Sequence, residues 1–337
     1  MPTTTTLPPG FYGPQPIASG ETLLAASGPA LTKIVNPGGF YTFGVNFEAG
    51  DTGAQLGDLS GHGFTIEATS PGGSAVQILG SNNSLYGNTL ISNDPGGNGA
   101  DLITGGGANN LQIQSNTFAG AGFALAYVNG AFDGVSQSTN VNFVGNTFNG
   151  TATAGVDLVF DAASGTISGN SFYGSGDGAI YLGHLSKAAA DYFNALYGTS
   201  YVAEAGTITL ANNDFSHWDG VDIITFDANY TFANGGAGHT LTSTVANTGK
   251  EIDTLSGFRV GDEIDLRHGV TATSIQQHGK GEVDVLLSDG DTLVFLGDNI
   301  KAKDVAASLG VDHHHHVDNG LHVGFDHSQH HGYDWWV

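Results

Sequence analysis

Cysteine is absent from this chain, and basic residues are scarce: 8 Lys plus Arg stand against 32 Asp plus Glu. Without thiols the chain fits either the cytosol or a secretion route that avoids disulfide chemistry. A formal charge of −24 opposes binding to nucleic acid or an anionic membrane and suits divalent cations. No run approaches the ~18 apolar residues of a membrane span. Residues Met1 to Ala30 hold neither a basic n-region nor a long apolar core, so no Sec-type signal is expected. Only 12% of residues are charged, yet 39% are hydrophobic, which argues against disorder despite 53 Gly.

What is present is one phrase repeated five times. It is a short alternating apolar run, then Asn, a small or polar residue, and a large apolar one. The Asn residues are Asn88, Asn116, Asn146, Asn170 and Asn213, and the apolar residues two places on are Leu90, Phe118, Phe148, Phe172 and Phe215. Periods of this size mean one supersecondary unit stacked on copies of itself. After each copy a Gly opens a second apolar run, as in Gly155 to Asp161 and Gly178 to His184. These runs have strand length, not helix length. Two or three short strands per repeat describe one coil of a parallel solenoid. The Asn column is then a vertical ladder in which each side-chain amide bonds the Asn above and below, at corners where Asn tolerates a left-handed backbone. The residue two places on points back inside, as strand alternation requires.

The Asn-Thr-Phe corners and the repeat length resemble the right-handed parallel β-helix superfamily, the pectate-lyase-like fold. The resemblance covers roughly residues 60–230. It implies an all-β solenoid. It leaves function open, since that fold carries lyases, hydrolases, epimerases, tailspikes and adhesins.

The expected organisation has four parts. Residues 1–38, with five of the nine Pro in the first 16 positions, form an extended leader or cap. The β-helix occupies 39–235, interrupted at 185–204 by a short helix lying on the solenoid wall. A small β-rich module spans 236–310. Its Glu251–Leu266 segment, with Gly257-Phe258 and Gly261-Asp262-Glu263-Ile264-Asp265-Leu266, resembles the C-terminal module of RTX-type proteins. That resemblance implies export by the type I secretion machinery. Within the module, Val283–Leu287 and Thr292–Leu296 read as a hairpin joined at Asp289-Gly290, and Lys301–Leu309 as a helix. A His-rich tail, 311–337, closes the sequence.

Candidate metal ligands follow from motif and composition. Gly96 to Thr104 fits a calcium nonapeptide with Asp101 as the acid, although an ordinary β-helix loop fits as well. Asp262 and Asp265 of the RTX-like segment join it as candidates. His313, His314, His315 and His316 of the tail suit a transition metal. Gly61-His62-Gly63 is similar to a tripeptide of pectin-hydrolysing relatives, without their other carboxylate motifs.

Aligning the second strands gives a catalytic candidate set. With Val156, Leu158 and Phe160 inward, Asp157 and Asp161 point outward. His184 falls beside Asp161 one coil on, and Asp222 falls in the column of Asp157 two coils on. Carboxylates at such spacing with a His suit glycosidic hydrolysis or uronate epimerisation. Two readings stand. In the first, the chain is a secreted, extracellular or cell-surface structural protein that self-associates as filament, matrix or adhesin. In the second, it is a carbohydrate-active enzyme acting on an extracellular polysaccharide. The first is favoured because the solenoid has one Lys and no Arg to neutralise an anionic polymer.

Overall fold

The computed structural model describes residues 2–39, 42–94, 99–122, 124–129, 137–152, 156–161, 163–183, 195, 208–226, 229–232, 240–243, 252–256, 258, 263–266, 271–288, 290, 292–297 and 299–309. Short β-rich runs punctuated by Gly and Asn fold here as laps of a parallel β-helix. Up to Asp214–Phe226 each lap lays strand on each of three faces, and the strands pair in parallel with their counterparts in the next lap.

The first face is a 13-stranded sheet. It runs through Thr3–Leu7, Glu21–Ala25, Gln55–Leu56, Ser84–Tyr86, Gln112–Gln114, Ser138–Val144, Ala163–Ser168 and Ile208–Ala211, then Asn229–Phe232 and Ile252–Ser256. The other two faces are joined in one 16-stranded sheet, because Ser171–Gly183 and Asp214–Phe226 run 13 residues each without a corner between faces. Their register shifts near Ser175 and Gly178, where the Gly-rich sequence lets the backbone stay extended through the bend.

Residues 3–16, expected as a leader, are the three strands of the first lap. Thr3–Leu7 pairs with Glu21–Ala25, Gly10–Tyr12 with Thr32–Asn36, and Gln15–Pro16 with Phe43–Phe47. The parallel ladder also continues past residue 235. Thr240–Ser243 pairs with Glu263–Leu266, and Ile252–Ser256 pairs with both Asn229–Phe232 and Thr292–Leu296. Only then does the chain reverse. Thr292–Leu296, Glu282–Leu287 and Ala272–His278 are antiparallel, and the helix Ala302–Ser308 follows. The hairpin and helix match the sequence expectation; the strand Ala272–His278 has no counterpart in it. The helix expected within 185–204 lies outside the described residues.

Registration stacks like on like inside. Ile34, Ile66, Leu90, Phe118, Phe148 and Phe172 form one column of fully buried side chains. Its rings are nearly parallel: Phe118 to Phe148 at 4.6 Å, Phe148 to Phe172 at 4.7 Å, Phe172 to Phe215 at 5.1 Å. The lap spacing of roughly 4.8 Å imposes this stacking. Each such buried ring contributes about 1.5–3 kcal/mol by removal from water.

Candidate functional site

Two buried polar columns climb the solenoid. The first is the Asn ladder. Asn88, Asn116, Asn146 and Asn170 are each at most 1% exposed. Each donates from Nδ2 to the Oδ1 of the Asn one lap on: 3.2 Å to Asn116, 3.1 Å to Asn146, 3.0 Å to Asn170 and 3.0 Å to Asn213. The same Oδ1 atoms accept the main-chain N–H of the preceding Asn at 2.9–3.1 Å. Each Nδ2 further donates to a carbonyl of the lap before, as Asn146 does to Ile113 at 2.8 Å. An amide carries both donor and acceptor, so the pattern propagates without a break.

The left-handed backbone expected at these Asn residues sits one residue earlier, at Gly87, Ser115, Gly145, Gly169 and Asn212, with φ of 65°, 57°, 62°, 62° and 52°. The turn is made by the preceding residue so that the Asn itself is free to bury its amide. A second ladder goes beyond the sequence expectation. Asn82, Asn110 and Asn140, all left-handed, are linked by amide bonds of 3.0 and 2.9 Å on the surface. The doublets Asn82-Asn83 and Asn109-Asn110 are its signal, but they lack the apolar residue that marks the first ladder.

The second column is acidic. Register places Asp101, Leu125, Asp157, Ala179 and Asp222 one above another, so the expected two-lap relation of Asp157 to Asp222 holds. Their surroundings differ from expectation. Asp101, Asp157, Asp161 and Asp222 are 0%, 1%, 3% and 8% exposed, so none is an outward-facing group bathed in solvent. Strand alternation fixes which side of the backbone a residue takes, not what lies on that side. At Asp101 the backbone of Ser92 and Gly120 covers it. The Oδ1 of Asp101 accepts the Ser92 N–H at 2.6 Å and its Oδ2 accepts the Gly120 N–H at 2.9 Å. Gly120 must be glycine, because an added Cβ would collide with that carboxylate.

The expected alignment of Asp161 with His184 is one residue out. Asp161 pairs with Gly183, and Leu182 pairs with Phe160 inside. A one-residue slip exchanges the two faces of a strand, so the Asp-side neighbour of Val159 is Tyr181. His184, Asp262 and His313 to His316 lie outside the described residues; Asp265 lies in the strand Glu263–Leu266.

Burial pushes the Asp101 carboxyl up to about 8, against N–H bonds from Gly120, Ser92 and Ala119 that pull it down. Burial, and secondarily the charge on Asp101, pushes Asp157 up to about 8. The two groups are not equivalent. Both oxygens of Asp101 are engaged by donors, whereas Oδ2 of Asp157 is buried with no hydrogen-bond partner. The two carboxyls are therefore raised by the same cause, burial, but only that of Asp101 is answered by donors.

Gly61-His62-Gly63 forms a local surface turn. His62 Nδ1 meets Asp58 Oδ2 at 2.6 Å, and Asp58 Oδ1 accepts the Ser60 and His62 N–H groups. Burial alone would raise the Asp58 carboxyl; the bonds from His62 and Ser60 outweigh it and hold it below its ordinary value. Among the described residues no helix is long and apolar enough to cross a membrane. Comparison with protein-family models, characterised proteins and solved structures returned no match.

Proposed function

We propose that the chain is a structural protein of the cell exterior, a rigid β-helical rod that associates with copies of itself through a wall of the solenoid. One observation carries this reading. In a chain of net charge −24, six successive strands of the first face contain no charged residue: Gln55–Leu56, Ser84–Tyr86, Gln112–Gln114, Ser138–Val144, Ala163–Ser168 and Ile208–Ala211. Their outward column reads Gln55, Ser84, Gln112, Asn142, Thr166, Thr209. At roughly 4.8 Å per strand this is a flat, uncharged strip about 24 Å long. Two like-charged rods can meet along such a strip without opposing charges at the contact.

Export by a type I route rests on the resemblance of Glu251–Leu266 to RTX-type modules, and likeness to pectate-lyase-type solenoids on the Asn-Thr-Phe corners. The enzyme reading is favoured by one feature, the pair of buried acids Asp101 and Asp157 whose environments differ. It is opposed by the burial of every carboxylate in that set.

Light scattering against protein concentration tests the proposal. The wild-type chain should form oligomers that the Gln112→Lys, Thr166→Lys double variant does not, with unchanged circular dichroism. Wild-type monomers at every concentration, or oligomers indifferent to the two lysines, would overturn it. Hydrolysis or elimination of any polysaccharide that Asp157→Asn abolishes would move the assignment to the enzyme.

A further inference from the structure

The antiparallel end of the molecule carries a group of side chains that plays no part in the solenoid. His278 and Glu282 are directly opposite each other across the hairpin formed by Ala272–His278 and Glu282–Leu287, and Asp284 is two residues beyond Glu282. Val283 and Val285 are fully buried, so alternation puts Glu282 and Asp284 together on the other side, where His278 joins them. One ligand atom from each of the three lies within 4.8 Å of the others. The Nε2 of His278 is 3.1 Å from Oδ2 of Asp284. Oδ1 of Asp284 is buried and has no hydrogen-bond partner.

We propose that His278, Glu282 and Asp284 bind a divalent transition ion of the Zn²⁺ class, which clasps the two strands at the hairpin end. The donor set argues for that class. One imidazole with two carboxylates suits Zn²⁺ and its neighbours, whereas Ca²⁺ and Mg²⁺ prefer oxygen alone. A tetrahedral ion with bonds near 2.1 Å needs donors roughly 3.4 Å apart; the His278–Asp284 pair, at 3.1 Å, is close to that separation, and Glu282 offers an oxygen within 4.8 Å of both. The partnerless Asp284 oxygen is satisfied by the ion or by the shift that accompanies binding. Three protein ligands leave a fourth position for water or for a group from another molecule.

The test uses the full chain, so that the His-rich tail is present in every sample and cancels in the comparison. Zn²⁺ is titrated by calorimetry into wild type, His278→Ala and Asp284→Asn, and backbone amide resonances are followed in parallel. Wild type should bind one more equivalent than either variant, or bind one equivalent at least the ~10–100-fold more tightly that even outer-shell changes cost. Zn²⁺ should shift the amides of residues 276–285 in wild type alone. Both substitutions are at partly exposed side chains, and circular dichroism confirms that the variants fold. Equal stoichiometry and affinity in all three proteins, with no shift at 276–285, would overturn the proposal.

Discussion

The two buried polar columns pass through the same laps and obey opposite rules. In the Asn ladder every amide is answered by the next, and the column extends without interruption from Asn88 to Asn213. In the acidic column the carboxylates occur only at alternate laps, separated by Leu125 and Ala179. An ionised carboxylate accepts and does not donate, so it cannot answer its own copy; copies one lap apart would repel when ionised and be buried at a cost either way. Identical neighbours are thus a stabilising arrangement for an amide and an unfavourable one for an acid.

Breaking the first column should have the largest effect. Asn146→Ala removes the acceptor of Asn116 and a donor to Ile113 and Asn170, leaving several buried polar atoms unpaired. A loss on the order of 3–5 kcal/mol is expected, read as a fall in the urea midpoint. Survival of the midpoint would show that the ladder is decorative.

The second column should show itself through pH. A carboxyl raised from its ordinary 3.8 to about 8 keeps its proton in the folded state and loses it when unfolded. Its stabilising share is complete below about 3.8 and is lost as pH rises through 8. The slope is at most about 1.4 kcal/mol per pH unit for one group. Asp157→Asn should flatten the decline between pH 5 and 8 in urea melts. An unchanged slope would mean that Asp157 is already ionised in the fold.

Smaller changes sharpen the contrast between buried and surface amides. Ser115 occupies the left-handed position that Gly holds at three of the other corners, so Ser115→Gly should stabilise by about 0.5–1 kcal/mol in the same assay. Asn110→Gly keeps the left-handed turn and deletes only exposed bonds, so it should shift stability by less than about 0.5 kcal/mol. A cost as large as that of Asn146→Ala would erase the distinction between the buried ladder and the exposed one.

The lap, the vertical ladder and the inward Phe column are all legible in the Asn spacing of the sequence. The same signal cannot reveal the first lap, because Thr3–Leu7 and Gln15–Pro16 are polar or Pro-bearing and become strands only by pairing with the lap that follows. Nor can it reveal the cover over Asp101, which the backbone of Ser92 and Gly120 supplies. The one-residue slip at Gly183 arises where a 13-residue strand omits the corner that sets the count elsewhere. The hairpin acids and His278 give no sequence signal, because the strand that carries His278 is mostly polar and has no repeat to announce it.

The reversal of direction at Thr292–Leu296 has a consequence for size. A stack of like laps has no intrinsic stopping point, since each new edge is a template for another. Folding back antiparallel sections against the last edge of the first face replaces that template with one of different hydrogen-bond spacing. On that face the stack of parallel laps therefore ends within the chain, at Ile252–Ser256 and Thr292–Leu296, rather than at an open edge.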